Sequence, residues 1–211
     1  MQKMISHKHN SIFIHVPKCG GLSMESICRD NDIFIDPVGG NTSKLNEKHD
    51  TDVYTSIENE SNIKFSFSFV RNPFERLVSA WKCPWVTGDK INGNQWKVPF
   101  NDYTDFIREF VLKESEWNFF RWSHVMPFTD PRMKLFNSDG KELLSFIGKL
   151  ETYQEDFNIV CDKIGIPQQK LPHINKSKHK HYTEHYDDET RQIVAEKYAK
   201  DIEYFNYEYG E

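Results

Sequence analysis

The chain has 211 residues, of which 37% are hydrophobic, 14% aromatic and 28% charged, with a net charge of −5. That length suits one α/β domain with a substantial core and is cramped for two. The aromatic content argues against disorder, and the acidic balance argues against a general nucleic-acid binder, although a local basic site for an anion is compatible with it. Cys19, Cys28, Cys83 and Cys161 have neither zinc-finger nor redox spacing and read as reduced thiols. No apolar run is long enough to span a bilayer, and residues 1–10 are polar with no apolar signal region, so the chain reads as soluble.

In chain order, 11–16 (SIFIHV) is a short strand pattern, PKCGG breaks it, and 22–29 reads as a helix. Residues 31–62 are polar, with a short strand expected near 33–35 and a helix near 52–59. Residues 64–70 (KFSFSFV) alternate Phe with Ser as a sheet strand does. Arg71-Asn72-Pro73 stops that strand, and 74–82 is expected to be helical with Phe74, Leu77, Val78 and Trp81 on one face. A long irregular stretch follows at 84–99, then a helix at 103–112 and an aromatic-rich irregular segment at 118–131. Residues 133–136 and 143–147 suggest a pair of strands about the turn Asn137-Ser138-Asp139-Gly140. Helices are expected at 152–164, stopped by Gly165 and Pro167, and at 188–204. No internal repeat is present.

Two segments carry chemistry. The first, His15-Val16-Pro17-Lys18-Cys19-Gly20-Gly21-Leu22-Ser23-Met24, is strand, glycine loop and helix. That arrangement offers unpaired N–H groups and a partial positive charge to an anion, and Lys18 adds a full charge. It is not a Walker A loop, because the lysine precedes the glycines and no magnesium-binding hydroxyl follows it. The second, Val70-Arg71-Asn72-Pro73-Phe74-Glu75-Arg76-Leu77-Val78-Ser79, puts Arg71 at a strand end, where α/β sheets place ligand contacts. Arginine matches phosphate in a bidentate geometry. The plain alternative is a surface turn for the first segment, and for the second a solvated face with Glu75 and Arg76 on it.

Together the segments resemble the two donor-binding signatures of the carbohydrate (Golgi-type) sulfotransferases, in particular the group with the chondroitin 4-O, HNK-1 and uronosyl 2-O enzymes. The likeness extends to 146–157, 171–177 and 198–207, and so covers most of the chain. It implies an α/β fold with a P-loop-type parallel sheet flanked by helices, a single domain over 1–211. It also implies the sulfuryl donor 3′-phosphoadenosine-5′-phosphosulfate (PAPS), with a carbohydrate or other hydroxyl-bearing acceptor. By that match Lys18, Cys19, Gly20, Gly21, Leu22 and Ser23 line the 5′-phosphosulfate site, while Arg71 and Ser79 grip the 3′-phosphate. Leu22 departs from the pattern, which commonly has a hydroxyl there. The same match implies Lys176, Ser177 and Lys178, in the His- and Lys-rich stretch 173–185, as 3′-phosphate or adenine contacts, with a solvated surface loop as the plain alternative. Zinc is disfavoured because no cysteine joins that stretch, and no metal is expected. The family's animal members are Golgi membrane enzymes. The absence of an anchor here points to a cytoplasmic microbial or viral enzyme, or to the Golgi lumen had an anchor been trimmed.

Sulfuryl transfer needs a base, a cation for the leaving phosphate and a clamp for the nucleotide. Lys18 suits the second role, and a histidine suits the first. His49 resembles the base of the uronosyl 2-O enzymes and ranks first. His124, in a segment similar to one in the chondroitin and HNK-1 enzymes, ranks second. Glu25 and Glu47 are outlying candidates. The rivals are a P-loop nucleotide kinase and a non-catalytic nucleotide- or glycan-binding module on the same fold.

Overall fold

The computed structural model describes residues 2–30, 62–87, 100, 102–113, 119–172 and 180–211. The chain divides into two compact units, Met1–Val70 with Pro131–Lys176, and Arg71–Asp130 with Ser177–Glu211.

Among the described residues, the first unit holds a four-stranded sheet of order β1 (Gln2–Ser6), β2 (Ser11–His15), β3 (Phe65–Val70) and β4 (Phe146–Lys149). The strands β2, β3 and β4 run parallel, as expected, and β1 adds an antiparallel edge to β2 that the polar N-terminus did not suggest. The sheet is therefore mixed within an α/β fold. Helices α1 (Gly21–Asp30) and α6 (Tyr153–Ile164) belong to this unit. The alternation in β3 is what anchors the unit. Phe67 and Phe69 join Met4, Phe13, Met24, Ile27, Phe157, Val160, Cys161 and Ile164 in one apolar core. Fully burying a side chain of this kind contributes about 1.5–3 kcal/mol. The intervening serines serve the ladder: Ser68 donates to the Ile14 carbonyl at 2.7 Å, and Ser66 exchanges hydrogen bonds with Ser145 at 3.0 and 3.1 Å.

One pairing differs from expectation. The Asn137 turn is present, with its side-chain oxygen accepting from the Asp139 and Lys141 amides. It closes only an isolated antiparallel bridge, Phe136 to Glu142, and residues 131–133 form a 3₁₀ turn. The apolar run beyond it becomes β4, paired in parallel with β3. Pairing with a central strand buries Phe146 and Ile147 more fully than a two-stranded ribbon could.

The second unit contains α2 (Pro73–Trp81), α3 (Pro84–Thr87), α4 (Tyr103–Asp105) running into a π-helical stretch Phe106–Val111, α5 (Phe119–Trp122), α7 (Asp188–Lys197) and α8 (Ala199–Phe205). Asn72 caps α2 by accepting from the Phe74 amide at 3.1 Å, and Pro73 opens its first turn. Asp187 and Thr190 form a capping box on α7. The single helix expected over 188–204 is two helices, because Tyr198 takes φ −105° and ψ 19° at the junction. Aromatic rings fill the unit: the Tyr103 hydroxyl donates to that of Tyr186 at 2.6 Å, which donates to the Phe74 carbonyl at 2.9 Å. Among the described residues no helix is long and apolar enough to cross a membrane. Cys19, Cys83 and Cys161 are buried. The strand near 33–35 and the helix near 52–59 lie outside the described residues, as does most of 84–99.

Candidate active site

In the first unit, β2 and β3 are parallel neighbours with Ile14 opposite Ser68. Their C-terminal ends therefore lie at one edge of the sheet, the edge where open α/β sheets place ligands. The chain leaves β2 through residues 17–20 and enters α1 at Gly21.

This loop is tightly specified. Lys18 sits at φ 69°, a left-handed conformation that side chains larger than Asn rarely adopt and that costs about 1–3 kcal/mol wherever its surroundings impose it. Its ammonium is half-exposed, with no ion-pair partner among the described residues. Gly20 has φ 81°, and a Cβ there would come within 2.8 Å of Leu150 and Tyr153. The Tyr153 hydroxyl donates to the Gly20 carbonyl at 2.9 Å, tying the loop to α6. A Cβ on Gly21 would collide with the His15 ring. Gly20 is thus required by backbone shape and by neighbouring side chains, and Gly21 by a neighbouring side chain.

The first turn of α1 divides its donors. The Gly20 carbonyl accepts from the Ser23 amide at 3.0 Å and from the Met24 amide at 3.4 Å. The Gly21 and Leu22 amides precede the first intrahelical bond, so they are the ones a helix start offers to an anion. Ser23 is buried, at 7% exposure, while the apolar Leu22 side chain stands 52% exposed. Cys19 is buried, with its thiol against the Pro17 carbonyl. Glu25, an outlying candidate for the base, is instead buried and paired with His15.

In the second unit, Arg71 follows β3 directly. Its Nη2 donates to Glu75, one turn along α2. Its Nε is buried and has no hydrogen-bond partner among the described residues. An unsatisfied buried donor on a guanidinium is costly. Ser79 lies half-buried further along α2.

Arg76 is neither a phosphate ligand nor part of a solvated face. It is 1% exposed, donating from Nη1 to the Met126 carbonyl at 2.7 Å and from Nη2 to the Ser123 carbonyl at 2.9 Å. Its guanidinium lies over the Phe128 ring at 4.4 Å. Two further buried groups grip the same segment. The Tyr198 hydroxyl donates to the Val125 carbonyl. Asp201 accepts from the Phe128 amide at 2.6 Å, the Thr129 amide at 2.9 Å and the Thr129 hydroxyl at 2.7 Å. Burial pushes the Asp201 carboxyl up from the usual carboxylate range, and those three donors pull against it. His124 sits inside this clamped segment and is itself buried, at 7% exposure.

Of the residues expected from sequence, Lys18, Cys19, Gly20, Gly21, Leu22 and Ser23 are brought together on one loop and helix start, while Arg71 precedes α2 and Ser79 lies in its last turn. His49, Lys176, Ser177 and Lys178 lie outside the described residues. Sequence reasoning missed His15 as a partner of Glu25, a pairing ten residues apart that crosses from strand to helix and follows no helical spacing. It also missed Arg76 as a tether, although the position had a signal: Arg76 sits beside Leu77 and Val78 on a helix whose other face was already apolar.

No match is found among curated proteins. The sulfotransferase family's sequence profile matches residues 1–208, running through both units. A match over nearly the whole length shows the family: the chain belongs to the sulfotransferase family.

Proposed function

We propose that the protein transfers a sulfuryl group from PAPS to a hydroxyl of a carbohydrate acceptor, with residues 1–211 acting as one catalytic domain. The observation that carries the reading is the loop 17–21. Its lysine is held in a left-handed conformation, and side chains at both its glycines are excluded by Leu150, Tyr153 and His15. Such a shape is kept against its cost where a backbone must approach an anion.

The residues present fit the donor. Lys18 and the Gly21 and Leu22 amides would hold the 5′ end, and the buried Arg71 Nε, with Ser79, would hold the 3′-phosphate. Lys176, Ser177 and Lys178 are proposed as further nucleotide contacts. The bound donor supplies a sulfuryl group on a phosphate leaving group. Lys18 places positive charge where negative charge grows on that phosphate. A histidine, His49 first and His124 second, takes the proton from the acceptor hydroxyl. Trp96, Asn92 and Asn94 in 84–99 support a sugar acceptor through ring stacking and hydroxyl recognition, whereas Trp122 and Arg121 of 118–131 are buried and are not offered to a sugar. Resemblance in the His124 segment and around His49 supports the chondroitin 4-O, HNK-1 and uronosyl 2-O group.

Calorimetric titration with 3′-phosphoadenosine-5′-phosphate, against AMP and ATP–Mg²⁺, tests the donor. Tight binding that needs the 3′-phosphate is expected, and a preference for ATP–Mg²⁺ would favour a kinase. Binding without turnover on any glycan would favour a recognition module. His49→Ala is expected to lower kcat with nucleotide affinity kept; the same result for His124→Ala alone would transfer the role of base to His124.

A further inference from the structure

Beneath the anion loop lies a pair of side chains that this mechanism leaves unused. His15 ends β2, and Glu25 lies in the second turn of α1. The His15 Nδ1 donates to the Glu25 carboxylate at 2.9 Å, with the two side chains 19% and 12% exposed. The imidazole stacks on Phe13 at 6.1 Å and an interplanar angle of 16°. Its opposite edge, Nε2 with Cδ2 and Cε1, fills the space a side chain on Gly21 would need.

A mostly buried histidine–carboxylate pair is a poor device for stability alone, since desolvation offsets much of the attraction. Phe13, Met24 and Ile27 already supply an apolar core at this point. What the pair does provide is orientation. A carboxylate on one ring nitrogen fixes the tautomer and the plane of an imidazole, as it does behind metal-bound histidines. Here the oriented ring bears on the backbone of Gly21, the residue whose amide opens α1.

We propose that His15 and Glu25 form a positioning pair for the 5′ end of the donor: Glu25 fixes the His15 ring, and the ring sets where the Gly21 and Leu22 amides stand. This deepens the donor-binding reading and rests on it. Neither residue takes a proton from the acceptor. Their effect is on how well the loop fits an anion.

The test is affinity for 3′-phosphoadenosine-5′-phosphate by calorimetry, with thermal melting of each variant alongside. His15→Ala and Glu25→Ala are each expected to weaken binding about tenfold, and the double variant no further, because the two act as one coupled unit. His15→Asn, whose amide N–H can stand in for the Nδ1 donor, is expected to recover most of the affinity, and His15→Leu none. Gly21→Ala is expected to abolish binding, and His15→Ala to restore part of it in the double variant by vacating the space. Additive losses, equal behaviour of Asn and Leu at 15, or unchanged affinity would overturn the proposal. Should the alanine variants fail to fold, the comparison of Asn with Leu decides. If the unaltered protein does not bind the nucleotide, the donor reading falls and this with it; if it binds and the variants match it, only this proposal falls.

Discussion

The anion loop and the segment 121–130 hold their shape by opposite means. In residues 15–25 the backbone is shaped mainly from outside, by side chains that occupy the room a Cβ would need: Leu150 and Tyr153 at Gly20, and His15 at Gly21. In residues 121–130 the backbone is held by hydrogen bonds with buried polar groups: carbonyls accept from Arg76 and Tyr198, and the Phe128 and Thr129 amides donate to Asp201. The first device leaves the loop's own amides available to a ligand. The second consumes amides and carbonyls, which suits a segment whose task is to hold a side chain still. An anion site needs free donors, whereas a scaffold needs every buried polar group satisfied.

That contrast can be broken at its strongest point by Arg76→Ala. It takes the guanidinium donors from the buried Ser123 and Met126 carbonyls and is expected to destabilise the fold by about 2–6 kcal/mol, since each buried polar group left unsatisfied costs about 1–3 kcal/mol. Denaturant unfolding checks it, and a change below 1 kcal/mol by that measurement would mean water replaces the guanidinium at little cost. Next in size is Lys18→Ala. Sulfuryl transfer should fall about 10²- to 10³-fold, the range for losing one charge-stabilising group, with the melting temperature unchanged because the ammonium is half-exposed. A fall in melting temperature to match would make Lys18 a structural residue. Arg71→Ala should weaken 3′-phosphoadenosine-5′-phosphate by about tenfold or more, as loss of a charge-assisted bond does, while AMP affinity stays put. Equal losses for the two nucleotides would place the 3′-phosphate elsewhere. The smallest effect is Leu22→Thr. The exposed leucine gives way to the hydroxyl common at this position in the resembled enzymes, and nucleotide binding should tighten a few-fold, about one hydrogen bond's net contribution. No change in titration would leave the amides as the only donors used at that position.

Much of this was legible before any coordinates. Strands at 11–15 and 65–70, the helices after them and the glycine loop between follow from local signals. A short β-branched and aromatic run, a Phe/Ser alternation and an Asn-Pro start each specify their element within a few residues. The face of α2 was only partly legible. Phe74, Leu77 and Val78 are buried as the spacing predicts, but Trp81 is half-buried and Arg76 and Ala80 lie inside. A periodic pattern assumes that charge faces water, and Arg76 defeats it by finding two carbonyls some fifty residues away. The strand pair about Asn137 failed for a related reason, since a turn signal fixes the turn and leaves open which partner the following strand takes.

The sequence by itself determined the family, the α/β class and the residues of both signatures, because those depend on residue identity at short spacing. Tertiary structure decided what surrounds them: the antiparallel edge strand, the parallel partner of β4, the clamp on residues 123–129, and the histidine under Gly21. The partner of β4 and the clamp join residues distant in the chain, while the edge strand and the histidine under Gly21 are near neighbours in sequence; in every case the free energy of the contact depends on burial and geometry that no local pattern records.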